Sequence, residues 1–370
     1  MNGIVLSLLL VLQGVAGDRA IHPADSLEFV HIRGALGAKL DTQLTRYERA
    51  GFAGTVLVVR DRRIVLLRGY GLANIETRTP NTPYTRFEWN SMTKMLTGVS
   101  ILQLAAAGRL KLDAPIERYL GEFPADKRGA TVEHLATHTA GLVVAGTNLA
   151  GDTRDAFVAD MKRAPMESPP GERYRYTNAG YSLLAAIIEH ASRMPYGAYL
   201  RQNLFMPAGM RTATFRDSVP NGDLLFARGY VAGDSGAGAV PGPPNPYVWG
   251  TIGAGGVWST VGDMYRWLVA LEDSVVLRGS ERALLFAPPQ PPSLEAYGWH
   301  VYPATDSSHP RIDKGGGSSD FASQMLYFPN DRVVILWASN NLVRRWRQTL
   351  NRAIPDLIFT GSTNAALPPR

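Results

Sequence analysis

Two pairs of apolar runs, one near each end of the chain, limit the possible folds more than any other feature. Residues 53–60 (AGTVLVVR) and 63–71 (RIVLLRGYG) are rich in Val, Leu and Ile and are separated only by Asp61 and Arg62. Two such runs across a short polar break predict a β-hairpin. Residues 321–328 (FASQMLYF) and 333–339 (VVILWAS) repeat the arrangement around Pro329, Asn330 and Asp331. Between the hairpins the apolar period becomes helical. A helix is predicted from Ser91 to Ala107, closed by Gly108. Another is predicted over 179–193, with Tyr181, Leu184, Ile187, Ile188 and Ala191 on one face. Residues 341–358 give an amphipathic helix carrying Leu342, Trp346, Leu350, Ile354 and Leu357. Residues 232–246 and 287–293 read as Gly/Pro-rich loops. The expected fold is α+β: an antiparallel sheet built from both ends of the chain, flanked by helices, with a mostly helical lobe inserted.

The chain has 370 residues, 45% hydrophobic and 19% charged, enough for one large catalytic unit with a substantial core. No polar linker and no internal repeat divides it. The expected division is a sheet-bearing lobe at about 30–85 with 290–358, a helical lobe at about 86–289, and a disordered tail at 359–370. Residues 1–17 (MNGIVLSLLLVLQGVAG) read as a secretory signal cleaved after Gly17, so the domain proper is expected over 18–358 in the periplasm or outside the cell. The apolar run is too short to span a bilayer. The chain has no cysteine, which excludes disulfides, thiolate catalysis and Cys-ligated metal. The net charge of +6 comes from scattered basic residues, with only Arg344, Arg345 and Arg347 clustered. That pattern argues against a nucleic-acid partner and implies at most weak attraction to anionic envelope polymers.

Chemistry concentrates in three stretches. The first is Phe87 to Leu96 (FEWNSMTKML), where Ser91 and Lys94 stand three apart at the start of a helix. Residues i and i+3 share a helix face. A hydroxyl is a poor nucleophile until a base takes its proton, and a lysine in apolar surroundings loses its own proton readily. The second is Tyr174 to Gly180 (YRYTNAG), where Tyr176 and Asn178 can point the same way in an extended segment. A tyrosine between two lysines would have its phenolate favoured and could relay protons. Asn178 can reach a substrate carbonyl or Lys94, or simply cap the next helix. The third is Asp313 to Phe321 (DKGGGSSDF), leading into the strand FASQMLYF. Lys314 could hold an anionic substrate group. Gly315, Gly316 and Gly317 would let a ligand approach the backbone closely, and an N–H there could stabilise an oxyanion.

Taken in this order, the three stretches resemble the serine β-lactamase and penicillin-binding-protein superfamily, for which Ser-x-x-Lys is a hallmark. The closer resemblance is to the class C β-lactamase-like branch, which includes D-alanyl-D-alanine carboxypeptidases, D-aminopeptidases and family VIII esterases. ILQLAAAGRLKLDAPIERYL, TVEHLATHTAGL, PPGERYRYTNAGYSLLAAIIE, FMPAGMRTATF and GAGGVWSTVGDMYRWL follow the family pattern, over about residues 35–355. The resemblance implies Ser91 as acylated nucleophile, Lys94 as its base, Tyr176 in the proton relay and Asn178 as substrate positioner. Lys314 matches the Lys of the Lys-Thr-Gly motif, and the N–H groups of Ser91 and Gly317 would form the oxyanion hole. The substrate would be a small-molecule or peptide acyl compound, with no metal or organic cofactor. Esterase or peptidase-like activity is favoured over efficient β-lactamase, because Gly315 replaces the Thr hydroxyl of the motif. Asp320, Asn90 and Trp89 also depart from the pattern, and Trp89 is expected to wall the cleft.

Rival readings find less support. His134 and His138 stand four apart, but Leu135 sits where a zinc protease needs Glu, so a structural turn is expected. No Gly-x-Ser-x-Gly elbow is present, and Gly250 to Gly256 (GTIGAGG) lacks dinucleotide-binding spacing. The remaining alternative is a catalytically silent protein that keeps the fold as a cell-wall receptor or scaffold.

Overall fold

A computed structural model describes residues 26–143, 153–215, 225–232, 239–241, 248–287, 295, 297–302, 309–341 and 343–367. The expected signal at 1–17, most of the loop at 287–293 and Leu342 lie outside these residues.

The two hairpins join in one seven-stranded sheet. Its strands are β1 (His31–Ile32), β2 (Gly54–Arg60), β3 (Arg63–Tyr70), β4 (His300–Tyr302), β5 (Arg311–Gly317), β6 (Ala322–Phe328) and β7 (Val333–Ser339). The order is β1-β3-β2-β7-β6-β5-β4, antiparallel throughout. The first and last parts of the chain meet where β7 pairs with β2, Leu336 opposite Leu57. The first hairpin turns on Asp61 and Arg62, at φ 52° and 59°. Two successive positive φ values match the twist of a tight hairpin.

Helices cover both faces. On one side, α1 (Gly34–Arg49) and α4 (Val343–Phe359) bury Leu40, Leu44, Tyr47, Trp346, Leu350 and Ile354 against Val56, Val58, Ile335 and Trp337. The other side faces a larger core shared with the helical part of the chain, centred on α2 (Thr93–Ala106) and α3 (Asn178–Ser192). From Thr93 to Leu102 every residue of α2 is buried, polar ones included. A helix apolar all round belongs inside a fold. α2 ends at Ala106, and Gly108 takes φ +66° just beyond it.

The sequence-based expectations need two adjustments. DKGGG does not merely approach a strand; it is the second half of β5, and Ser318 to Phe321 form the turn into β6. The loop at 232–246 includes a short strand pairing, Tyr230–Ala232 with Ala239–Pro241. At the tail, Thr363 donates to Asp356 at 3.2 Å, and Ala365 packs on the α1–α4 core.

Candidate active site

Ser91 sits in a 3₁₀ turn, Asn90–Met92, that runs directly into α2. Asn90 precedes it at φ +48°. Strained backbone of this kind often marks functional turns. β5 crosses very close to this segment: a Cβ on Gly316 would lie 2.0 Å from the Trp89 carbonyl oxygen, so no larger residue fits. Gly298, at φ +87°, also passes tightly against Lys94, since a Cβ there would lie 2.5 Å from the Lys94 carbonyl.

Lys94 is wholly buried, and its ammonium position reaches three oxygens. Asn178 Oδ1 is at 2.7 Å, Ser91 Oγ at 3.2 Å and the Ala254 carbonyl at 3.3 Å. The Tyr176 ring lies 4.7 Å away. No carboxylate among the described residues lies within ion-pair distance of Lys94. Burial therefore pushes its pKa well below the usual lysine value, and Lys314 adds to the fall. A neutral amine has two N–H donors and one lone pair. Asn178 Oδ1 and the Ala254 carbonyl can only accept, which leaves the lone pair for the Ser91 hydroxyl.

Tyr176 lines the cleft beside Ser91, and its ring lies under both lysines. The expectation of a favoured phenolate is overturned: burial raises the Tyr176 pKa, and Ser91 only partly offsets this. At neutral pH the group is a phenol that can donate. Asn178 opens α3 without capping it, its side chain being turned to Lys94.

Lys314 is held by a different kind of partner. It is buried, and Glu295 takes its charge at 2.6 Å. Burial alone would raise the Glu295 pKa, but Lys314, His138 and His300 outweigh it and hold the carboxyl well below its usual range. His138 Nε2 lies 2.7 Å from Glu295 Oε1, and His300 Nε2 lies 2.8 Å from Oε2. No sequence motif pointed to Glu295. His138, read as a structural turn, is at φ +58° and stacks on Tyr176.

A cleft of about 830 Å³ opens over this cluster. Ser91, Tyr176, Lys314, Gly315 and Gly317 line it, as does Arg347 of α4. Gly316 does not; it faces Trp89 and Ser323, and its carbonyl accepts from Arg347. Trp89 is fully buried and donates to the Ser259 carbonyl at 3.1 Å, so it belongs to the core and walls nothing. Asp320 points away toward Gly229 and binds Ser318 Oγ at 2.8 Å. His134 is spent on a capping box with Thr131, and no group of three His, Asp or Glu side chains among the described residues is arranged to hold a metal ion.

The chain is similar to known proteins over most of its length. Penicillin-binding protein 4* of Bacillus subtilis (strain 168) is 26% identical over 334 residues, 84% of this chain and 73% of that protein. PbpX of the same strain, named for penicillin binding, is 32% identical over 259 residues, 70% of this chain and 64% of its own length. The chain thus spans less than two thirds of PbpX. The octameric penicillin-binding protein homologue from Pyrococcus abyssi has the same fold, with a TM-score of 0.76 at 24% identity, over 90% of this chain and 79% of that one. The beta-lactamase family model matches residues 36–357, and the chain belongs to that family of serine hydrolases.

Proposed function

We propose that this protein is an exported serine hydrolase of the class C β-lactamase-like type, working through an acyl-Ser91 intermediate. The observation that carries this reading is the Lys94 amine, 3.2 Å from Ser91 Oγ and without a carboxylate partner among the described residues. Ser91 Oγ attacks the acyl carbon while its proton passes to Lys94. The backbone N–H groups of Ser91 and Gly317 receive the oxyanion. The bond to the leaving group breaks as the Tyr176 hydroxyl supplies a proton, and water then cleaves the acyl-enzyme by the reverse route.

The substrate is a small-molecule or peptide acyl compound. Ester or peptide-like acyl groups are favoured over efficient β-lactam turnover, because Gly315 offers no hydroxyl to the cleft. Lys314 is spent on Glu295, so an anionic substituent falls to Arg347, which has no ion-pair partner among the described residues. Export rests on the apolar segment 1–17, and the net charge of +6 supports weak association with the envelope.

The test is intact-mass analysis of the mature protein and of Ser91→Ala after incubation with p-nitrophenyl butyrate and with a penicillin, together with nitrophenol release. The expected result is a Ser91-dependent acyl adduct and faster turnover of the ester. Equal ester turnover by wild type and Ser91→Ala would remove Ser91 from the reaction. Equal inertness of both would favour the silent scaffold.

A further inference from the structure

Glu295 lies outside every motif that points to the site. Its side chain is fully buried, yet basic groups from three separate segments converge on it. Lys314 Nζ is at 2.6 Å, His138 Nε2 at 2.7 Å and His300 Nε2 at 2.8 Å. A buried carboxylate is tolerated only when it is paired and hydrogen-bonded in this way.

The contacts fix more than charge. His138 Nδ1 accepts the Thr177 N–H at 3.2 Å, so the ring proton sits on Nε2 and points at Glu295. The same ring stacks on Tyr176, centroids 4.5 Å apart at 34°. Lys314 lies 5.2 Å over the Tyr176 ring. Glu295 therefore holds two of the groups that pack on Tyr176, and through His138 it also anchors the peptide that follows. It does not itself line the cleft.

We propose that Glu295 is a positioning residue for the reaction at Ser91: it holds His138 and Lys314 against Tyr176 and so keeps Tyr176 in place beside Ser91 in the cleft. The inference rests on the acyl-Ser91 reading. Because Glu295 touches no substrate, its effect falls on kcat and not on KM, and it is transmitted through Tyr176.

The experiment is a double-mutant cycle on the full chain, with p-nitrophenyl butyrate as probe. Glu295→Gln is expected to lower kcat about tenfold or more while KM stays within about twofold. In a Tyr176→Phe background the same substitution is expected to cost less than about threefold, since residues acting through one another are not additive. Equal losses in both backgrounds, or a loss confined to KM, would overturn the proposal. His138→Phe keeps an aromatic ring and removes both hydrogen bonds. It is expected to reproduce the loss and the coupling, and serves if Glu295→Gln does not fold by near-ultraviolet circular dichroism. Loss without coupling in this variant would equally overturn it. If the wild type forms no Ser91-dependent adduct, the acyl-Ser91 reading falls and Glu295 falls with it. If the adduct forms and the coupling is absent, only the role of Glu295 is lost.

Discussion

Lys94 and Lys314 approach the same Tyr176 ring from different elements, at 4.7 and 5.2 Å, and both are shut off from solvent. Their partners differ. Lys314 meets the Glu295 carboxylate at 2.6 Å, whereas Lys94 meets only an amide oxygen, a carbonyl and a hydroxyl. Burial lowers the pKa of both; Glu295 opposes this for both, but only Lys314 holds it in a direct hydrogen bond. The result is a division of labour between two like residues. Lys94 becomes an amine able to take a proton, and Lys314 remains a fixed cation that lowers the Lys94 pKa further. In the proposed mechanism, direct contact with the Glu295 carboxylate sets Lys314 apart from the lysine that serves as base.

The comparison can be broken at either lysine. The largest effect is expected from Lys94→Met, which removes the base and should slow acylation by about 10²–10⁴-fold, read as the burst of nitrophenol from excess enzyme. Next is the buried pair. Glu295→Gln leaves Lys314 unpaired and should destabilise the protein by about 3–5 kcal/mol in urea unfolding, while Glu295→Gln with Lys314→Met should recover most of that. A loss as large in the double variant would mean that the pair is not what Glu295 contributes to stability.

A smaller effect comes from His138. Burial, against the pull of Glu295, lowers its pKa from 6.5 to about 4. Between these values the unfolded chain binds a proton that the folded one does not. The folded state therefore loses stability as pH falls from 6.5 toward 4, by up to about 1.4 kcal/mol per pH unit from this group. Urea midpoints across that range should show the slope, and His138→Phe should flatten it. The smallest effect belongs to His300. Burial works against its charge, but Asp313 and Glu295 prevail and raise its pKa above 6.5. Its contribution is present below 6.5 and is lost as pH rises through the folded value. His300→Gln should level the alkaline side of the same curve.

The sequence carried the sheet and the first half of the site. Val, Leu and Ile runs across two-residue and four-residue breaks marked β2, β3, β6 and β7, because a half-buried or buried strand needs such residues whatever it pairs with. Edge strands β1 and β4 contain too few residues to show a period. Ser91 and Lys94 were legible because helix geometry alone brings them together. Asn178 was legible only as one of several options, since nothing local turns its side chain toward Lys94. Tyr176 was located, but its protonation state was not: a pKa depends on burial, and burial depends on the whole fold. Glu295 was invisible for a related reason. The stretch SLEAYGW is unremarkable, and only the pairing of β4 with β5 brings the segment beside Lys314. The pairing of Lys314 was hidden with it.

The most direct test of the division between the two lysines is the pH dependence of Ser91 acylation, followed by intact mass at short times with p-nitrophenyl butyrate. An unprotonated Lys94 in the resting enzyme predicts an acylation rate that rises through an apparent pKa well below 10.5, and a limb that disappears in Lys94→Met but persists in Lys314→Met. A limb near the ordinary lysine value, or one that survives in Lys94→Met, would contradict the account.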